Sequence, residues 1–133
     1  MPDIYIVPCI EDGITYESQV EIEDNGLCKI VFKYRGQEYV TEDENYFFAL
    51  KKLRVILERN YIQLLCQGCA VNVYPSPMIL DMGDALRAYK LTMGKRAKLD
   101  DLVDIFTPCE PKEFATIEEQ AGFYDAWVRG PKD

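Results

Sequence analysis

The sequence predicts a single α+β domain, in which a mostly antiparallel sheet, made of an N-terminal meander plus later strands, packs against two helices. Three observations predict it. Residues 14–35 alternate apolar and polar side chains around a turn signal at Asp24–Gly26. Two later segments carry apolar residues at helical spacing behind capping signatures. The order is strands, helix, strands, helix, which segregates the meander from its helices. At 133 residues the chain buries roughly two-thirds of its unfolded surface, enough for one core spanning residues 1–133.

The elements follow in order. "IYIVPCI" is an additional strand that Pro8 confines to a sheet edge, because proline has no ladder donor. In "ITYESQVEIE", Ile14, Tyr16, Ser18, Val20 and Ile22 share one face and Thr15, Glu17, Gln19, Glu21 and Glu23 the other. "DNG" turns the chain, and "LCKIVFKYR" returns with Cys28, Ile30, Phe32 and Tyr34 inward and lysines opposite the glutamates. Gly36 turns into a short third strand, "QEYV". Thr41 and Glu44 form a T-x-x-E capping box for a helix whose stripe is Tyr46, Ala49, Leu50, Leu53, Ile56 and Leu57. Phe48 and Val55 lie nearly opposite that stripe, covered by the C-terminal segment or open as a partner surface. "YIQLLC" is a buried strand; "ALRAYKLTMG" and "LVDIFTP" are two more, flanking the basic turn "GKRAK". "TPCEPKEFAT" is a fixed connector. Thr116 and Glu119 cap a last helix with a stripe of Ile117, Ala121, Tyr124 and Val128, Trp127 alongside, Gly130 at C′ and Pro131 beyond.

Composition narrows the function. A net charge of −8 disfavours nucleic acid, whose phosphates need clustered Lys and Arg, and disfavours an anionic membrane face. It suits a partner with a basic surface, or simple solubility. The chain has no histidine, which removes the commonest general base, the commonest metal ligand and any Ser-His or Cys-His pair. No apolar run reaches the ~18–20 residues of a membrane span. The opening "MPDIYIVPCIEDG" has no basic n-region, so a cytoplasmic product with five reduced, mostly buried cysteines is expected.

Candidate chemistry gathers in "LLCQGCAVNVYPSPMILDMG" (residues 64–83). Cys66 and Cys69 supply half of a tetrahedral zinc site, which Cys9, Cys28 and Cys109 complete only by converging from distant strands. A redox CxxC opens a helix, whereas prolines and β-branched residues follow here. The favoured reading is a Gly68 turn with both thiols packed inward. Ser76 before Pro77 is an N-cap, and "MILDM" a short helix ended by Gly83. Met78, Ile79, Leu80 and Met82 fill the core, while Asn72, Tyr74, Ser76, Asp81 and Asp84 could face a ligand. Glu42, Asp43 and Glu44, with Asp100, Asp101 and Asp104, form acidic runs that suit a contact surface better than a glycosidase pair or cation site.

The words N-V-Y-P-S-x-M (Asn72 to Met78), D-M-G (Asp81 to Gly83), A-Y-x-L (Ala88 to Leu91) and V-x-I-F (Val103 to Phe106) resemble a family of small, uncharacterised bacterial proteins over roughly residues 62–106. Pro77 stands where relatives of this type carry Gly. Such proteins are similar to ones found beside bacterial toxin genes, so the resemblance implies an immunity protein. The expectation is therefore a non-enzymatic binder of a cognate toxin or other basic protein, without cofactor, metal, nucleic acid or membrane. Its expected contact residues are Asn72, Tyr74, Ser76, Asp81, Asp84, Glu42, Asp43, Phe48 and Val55. Two alternatives remain open: a small enzyme or zinc protein on Cys66 and Cys69, and a homodimer seamed by Phe48 and Val55.

Overall fold

Two-residue turns build the first sheet. Asp12 and Gly13 both take left-handed φ (53° and 74°), as do Arg35 and Gly36 (48° and 77°), the geometry that reverses a twisted ribbon without splaying it. Strand β1 (Asp3–Glu11) thereby returns as β2 (Ile14–Asp24), and β3 (Cys28–Tyr34) as β4 (Gln37–Asp43). Residues 25–27 link β2 to β3, with Gly26 at φ 98° and its N–H donating to Asp24 Oδ1. The computed structural model describes residues 3–133.

A fifth strand, β5 (Ile62–Leu64), adds beside β1, so the antiparallel order is β4-β3-β2-β1-β5. The expected edge position of β1 is corrected. Pro8 is tolerated inside the sheet because its nitrogen points past the end of β5. Its carbonyl accepts from Leu65 N–H at 2.9 Å, and the Leu65 carbonyl, which has no proline N–H to take, accepts from Cys109 instead at 3.0 Å. On the wet face Lys33 pairs with Glu21 at 3.2 Å, the kind of cross-strand contact expected.

Val7, Val20, Ile22, Ile30 and Phe32 line the inner face under helix α1 (Tyr46–Arg59). Fully burying such a side chain is worth roughly 1.5–3 kcal/mol over leaving it exposed. The helix starts differently from the T-x-x-E reading. Asn45 is the N-cap, its Oδ1 accepting from Phe48 N–H at 2.8 Å, and the first turn holds no acid. Thr41 stays in β4, its buried hydroxyl donating to Ala49 O at 2.9 Å, so the pleat claims this residue before the helix can use it. Ile56 is half-buried, while Phe47 and Arg54 are buried; α1 is covered on a second side.

That cover comes from the rest of the chain. β6 (Val73–Tyr74), β7 (Arg87–Lys90) and β8 (Leu102–Asp104) make a separate three-stranded antiparallel sheet, order β6-β7-β8. Helix α2 (Pro77–Met82) lies between β6 and β7, and α3 (Ile117–Arg129) closes the fold. The α3 capping box forms as the sequence suggests, Thr116 Oγ1 accepting from Glu119 N–H and Glu119 Oε1 from Thr116 N–H. Its inward face is rotated from the expected stripe: Gln120 is buried, Tyr124 half-buried, and Ala121 and Val128 exposed. Gly130 is extended (φ −75°, ψ 158°) and not the left-handed C′ residue. No helix among the described residues is long and apolar enough to cross a membrane.

The cap assignment is testable by urea unfolding. Asn45→Ala is expected to cost about 1 kcal/mol, the usual loss of an N-cap acceptor. Glu44→Ala, at an exposed position outside the helix, is expected to change stability by less than about 0.5 kcal/mol.

Candidate functional site

The segment after β5 turns back on itself through Cys66 to Ala70. Residues 67–69 form one 3-10 turn, closed by Cys69 N–H to Cys66 O at 2.9 Å. Gly68 is required here by packing: a Cβ would sit 2.4 Å from Leu50 Cδ2 and 3.1 Å from Ile105 Cβ. Strand-like contacts pin both sides of the turn. Gln67 and Gly68 N–H donate to Thr107 and Ile105 carbonyls, each at 2.8 Å, and Ala115 N–H donates to Cys69 O at 3.0 Å. Both cysteines are fully buried with their sulfurs 3.6 Å apart. The hydrogen bond to Cys69, and then burial, push the Cys66 thiol up. Burial also raises Cys69, but the Cys66 bond and the Arg54 guanidinium outweigh it and lower the thiol. Of the two, Cys66 is therefore the weaker acid and Cys69 the stronger. All five cysteines are free and buried. Among the described residues no three His, Cys, Asp or Glu side chains converge to hold a metal ion.

Beneath this turn lies a polar contact that the sequence reading passes over. Arg54 is 3% exposed and Gln120 likewise. Arg54 Nη1 donates to Gln120 Oε1 at 2.6 Å and to Gly68 O at 3.3 Å, and Nη2 donates to Ala115 O at 2.7 Å. Gln120 Nε2 shares its hydrogens among the carbonyls of Gly68, Ala70 and Val73 at 2.9, 2.9 and 3.0 Å. The guanidinium is held by oriented carbonyls, with no carboxylate in ion-pair distance among the described residues, so dipoles alone offset its burial. Arg54 Nε has no partner. The signal was present: Phe47, Leu50, Arg54 and Leu57 run i, i+3, i+7, i+10 along α1, and Ile117, Gln120, Tyr124 and Trp127 repeat that spacing on α3. A polar residue in the middle of each stripe marks where the stripes meet.

Several expected contact residues also hold the fold. Asn72 Nδ2 donates to Leu91 O at 2.9 Å, and Ser76 Oγ accepts from Ile79 N–H at 3.1 Å as the α2 cap. Tyr74 stacks on Tyr124 (centroids 3.9 Å, 12°) and meets Phe47 edge-on at 5.0 Å. Pro77 takes the first position of α2, where its missing N–H costs nothing. Phe48 is half-buried against the core and Val55 is 38% exposed. Asp104 accepts from Tyr5 OH at 2.7 Å and from Phe106 N–H at 2.9 Å, and Asp101 closes its own turn by accepting from Lys98 N–H.

Asp81 and Asp84 are exposed. Asp84 O accepts from Tyr46 N–H, which ties the end of α2 to the start of α1. It thereby joins Asp24 and Asp43, and burial together with these three carboxylates pushes the Cys28 thiol up to about 11. Asp43 also pairs with Lys52 at 3.1 Å, and Glu42 is exposed beside it. The molecule therefore has an acidic end where β2–β3, β4 and α2 meet. Met78 and Met82 do not fill the core: they are 70% and 82% exposed, and only Ile79 and Leu80 of α2 pack inward. Six residues are too few to turn both flanks of a helix toward one surface.

No protein-family model matches the chain, and no curated protein matches it.

Gln120→Ala is expected to lower stability by about 1–3 kcal/mol, because it takes one acceptor from a buried guanidinium and a shared donor from the carbonyls of Gly68, Ala70 and Val73. Arg54→Met combined with Gln120→Leu is expected to lose less than the sum of the single changes in urea unfolding. Stability also depends on alkaline pH. Burial pushes Cys9 up to about 11 and Cys109 up to about 12, alongside Cys28. Unfolded thiols ionise near about 8.5. The native state thus keeps protons that the unfolded chain releases, so this stability is complete below that pH and drains away as pH rises toward 11–12. The urea midpoint is expected to hold level to about pH 8 and to fall above pH 9; a midpoint flat across that window would contradict the burial of these thiols.

Proposed function

We propose that this chain works by binding another protein with a basic surface, and that it serves as the immunity partner of a bacterial toxin, covering the toxin's basic active site. The observation that carries this is an acidic surface left largely without internal cations. Only six of the 23 acidic side chains stand in ion pairs among the described residues, and the sequence pI is near 4.6. A surface of this kind repels its own copies and draws in a cationic partner from beyond contact distance. Asp81, Asp84 and Glu42 stand exposed at one end of the fold, where they supply that potential. The resemblance over residues 62–106 supports the toxin as partner, and a cytoplasmic location agrees with it.

The reading of Cys66 and Cys69 as reactive or zinc-binding groups has weaker support, since both sulfurs are closed off from solvent. Elemental analysis separates the two readings: stoichiometric zinc that is lost in Cys66→Ser would favour the thiols.

The test is co-purification with the product of a neighbouring toxin gene, with protection of cells from that toxin. The complex is expected to weaken as salt rises, its association rate falling about tenfold or more as the Debye length shrinks from about 30 Å to about 8 Å. No complex and no protection would overturn the proposal.

A further inference from the structure

Helix α2 is only partly covered, Ile79 and Leu80 packing against the core while Met78 and Met82 face outward. It has no buried residue, although Pro77, Met78, Ile79, Leu80 and Met82 are apolar. Its outer flank forms one wall of an open groove of about 460 Å³, lined chiefly by Met78, Ile79, Met82, Ala85, Leu86 and Leu102. Exposed methionines 70% and 82% open are costly for an unpartnered surface, and their flexible thioethers conform readily to an apolar guest. The groove opens beside the acidic end of the molecule: Asp84, which lines it, stands with Asp24 and Asp43 around Cys28, and Asp81 is exposed on α2 itself. One cation, Arg87, faces the same groove, opposite Asp104 in the β7–β8 register.

We propose that this groove is the docking site for an amphipathic helical segment of a basic protein partner. The inference rests on the basic-partner reading above and gives that partner a place and a shape. Apolar side chains at i, i+3 or i+4, and i+7 of the guest helix lie along the methionine wall, and its flanking Lys and Arg meet the aspartates. Charge complementarity selects this occupant over the others. A second copy of the chain, also of net charge −8, would set one acidic end against another, and an anionic lipid surface would meet the same repulsion.

The probe is a synthetic 14-residue Leu/Lys peptide with leucines at helical spacing, compared with a Leu/Glu peptide of the same pattern. Met methyl NMR reads the site directly, because Met93 is 48% exposed outside the groove and serves as an internal reference. The methyls of Met78 and Met82 are expected to shift with the Leu/Lys peptide and not with the Leu/Glu peptide, while Met93 stays in place. Met78→Ser and Met82→Ser, both at exposed positions, are expected to keep the fold and to weaken peptide affinity about tenfold each. Asp81→Asn is expected to flatten the salt dependence. Equal binding of both peptides, shifts confined to Met93, or a concentration-dependent dimer abolished by Met82→Ser would each overturn the groove assignment. A toxin complex formed as tightly by the Met78→Ser/Met82→Ser double variant would also overturn it, and would leave the basic-partner proposal standing.

Discussion

The Arg54–Gln120 contact is the constraint on which the second half of the structure depends. It joins α1 to α3 across the Cys66–Ala70 turn, and every acceptor it uses except the Gln120 amide oxygen is a backbone carbonyl. A guanidinium in a water-free site is costly unless its donors find oriented partners. The chain meets that need with carbonyls that a turn without regular ladder bonds leaves over. The same contact closes the accounts of both sides: the turn acquires donors, and the charge acquires dipoles. Around it Gly68 allows Leu50 and Ile105 to approach, and Glu58 accepts from Ile117 N–H to fix where α3 begins.

The dithiol beside this contact follows from the same geometry. The 3-10 turn brings Cys66 and Cys69 to 3.6 Å, and Arg54 favours negative charge on Cys69. Yet the sulfurs are sealed by α1, by the 105–109 segment and by the connector at 113–115. A turn so heavily fastened is a scaffold. It projects residues 72–84 from a rigid base, and the tie from Asp84 O to Tyr46 N–H fixes their far end. The surface that results, with outward methionines beside aspartates, is rigidly placed although its own helix is only six residues long.

Much of the meander was legible because its determinants are local. Alternation placed Val20, Ile22, Ile30 and Phe32 on one face, and the Thr116–Glu119 pair marked the start of α3. Local pattern failed where two local signals competed. Thr41 satisfies a capping motif and a strand position equally well on paper, and the ladder to β3 decided for the strand, with Asn45 left to cap. Pro8 signals an edge, but its effect depends on what lies opposite, which is the end of β5. Among the proposed contact residues, Asn72 and Ser76 hydrogen-bond the backbone and Tyr74 stacks on Tyr124, while Asp81 and Asp84 are exposed.

By itself the sequence determined the α+β class, the hairpin order, the inward face of the meander and the excess of negative charge, because periodicity, turn chemistry and charge act between residues close in the chain. Only the tertiary structure decided that the strands divide into two sheets, that Arg54 meets Gln120, and that Met78 and Met82 face outward. Those outcomes depend on pairing across 47 to 66 positions, as in the reach of Gln120 to Val73 and of Arg54 to Gln120. A single chain of letters carries no record of which distant polar groups will satisfy one another once water is excluded.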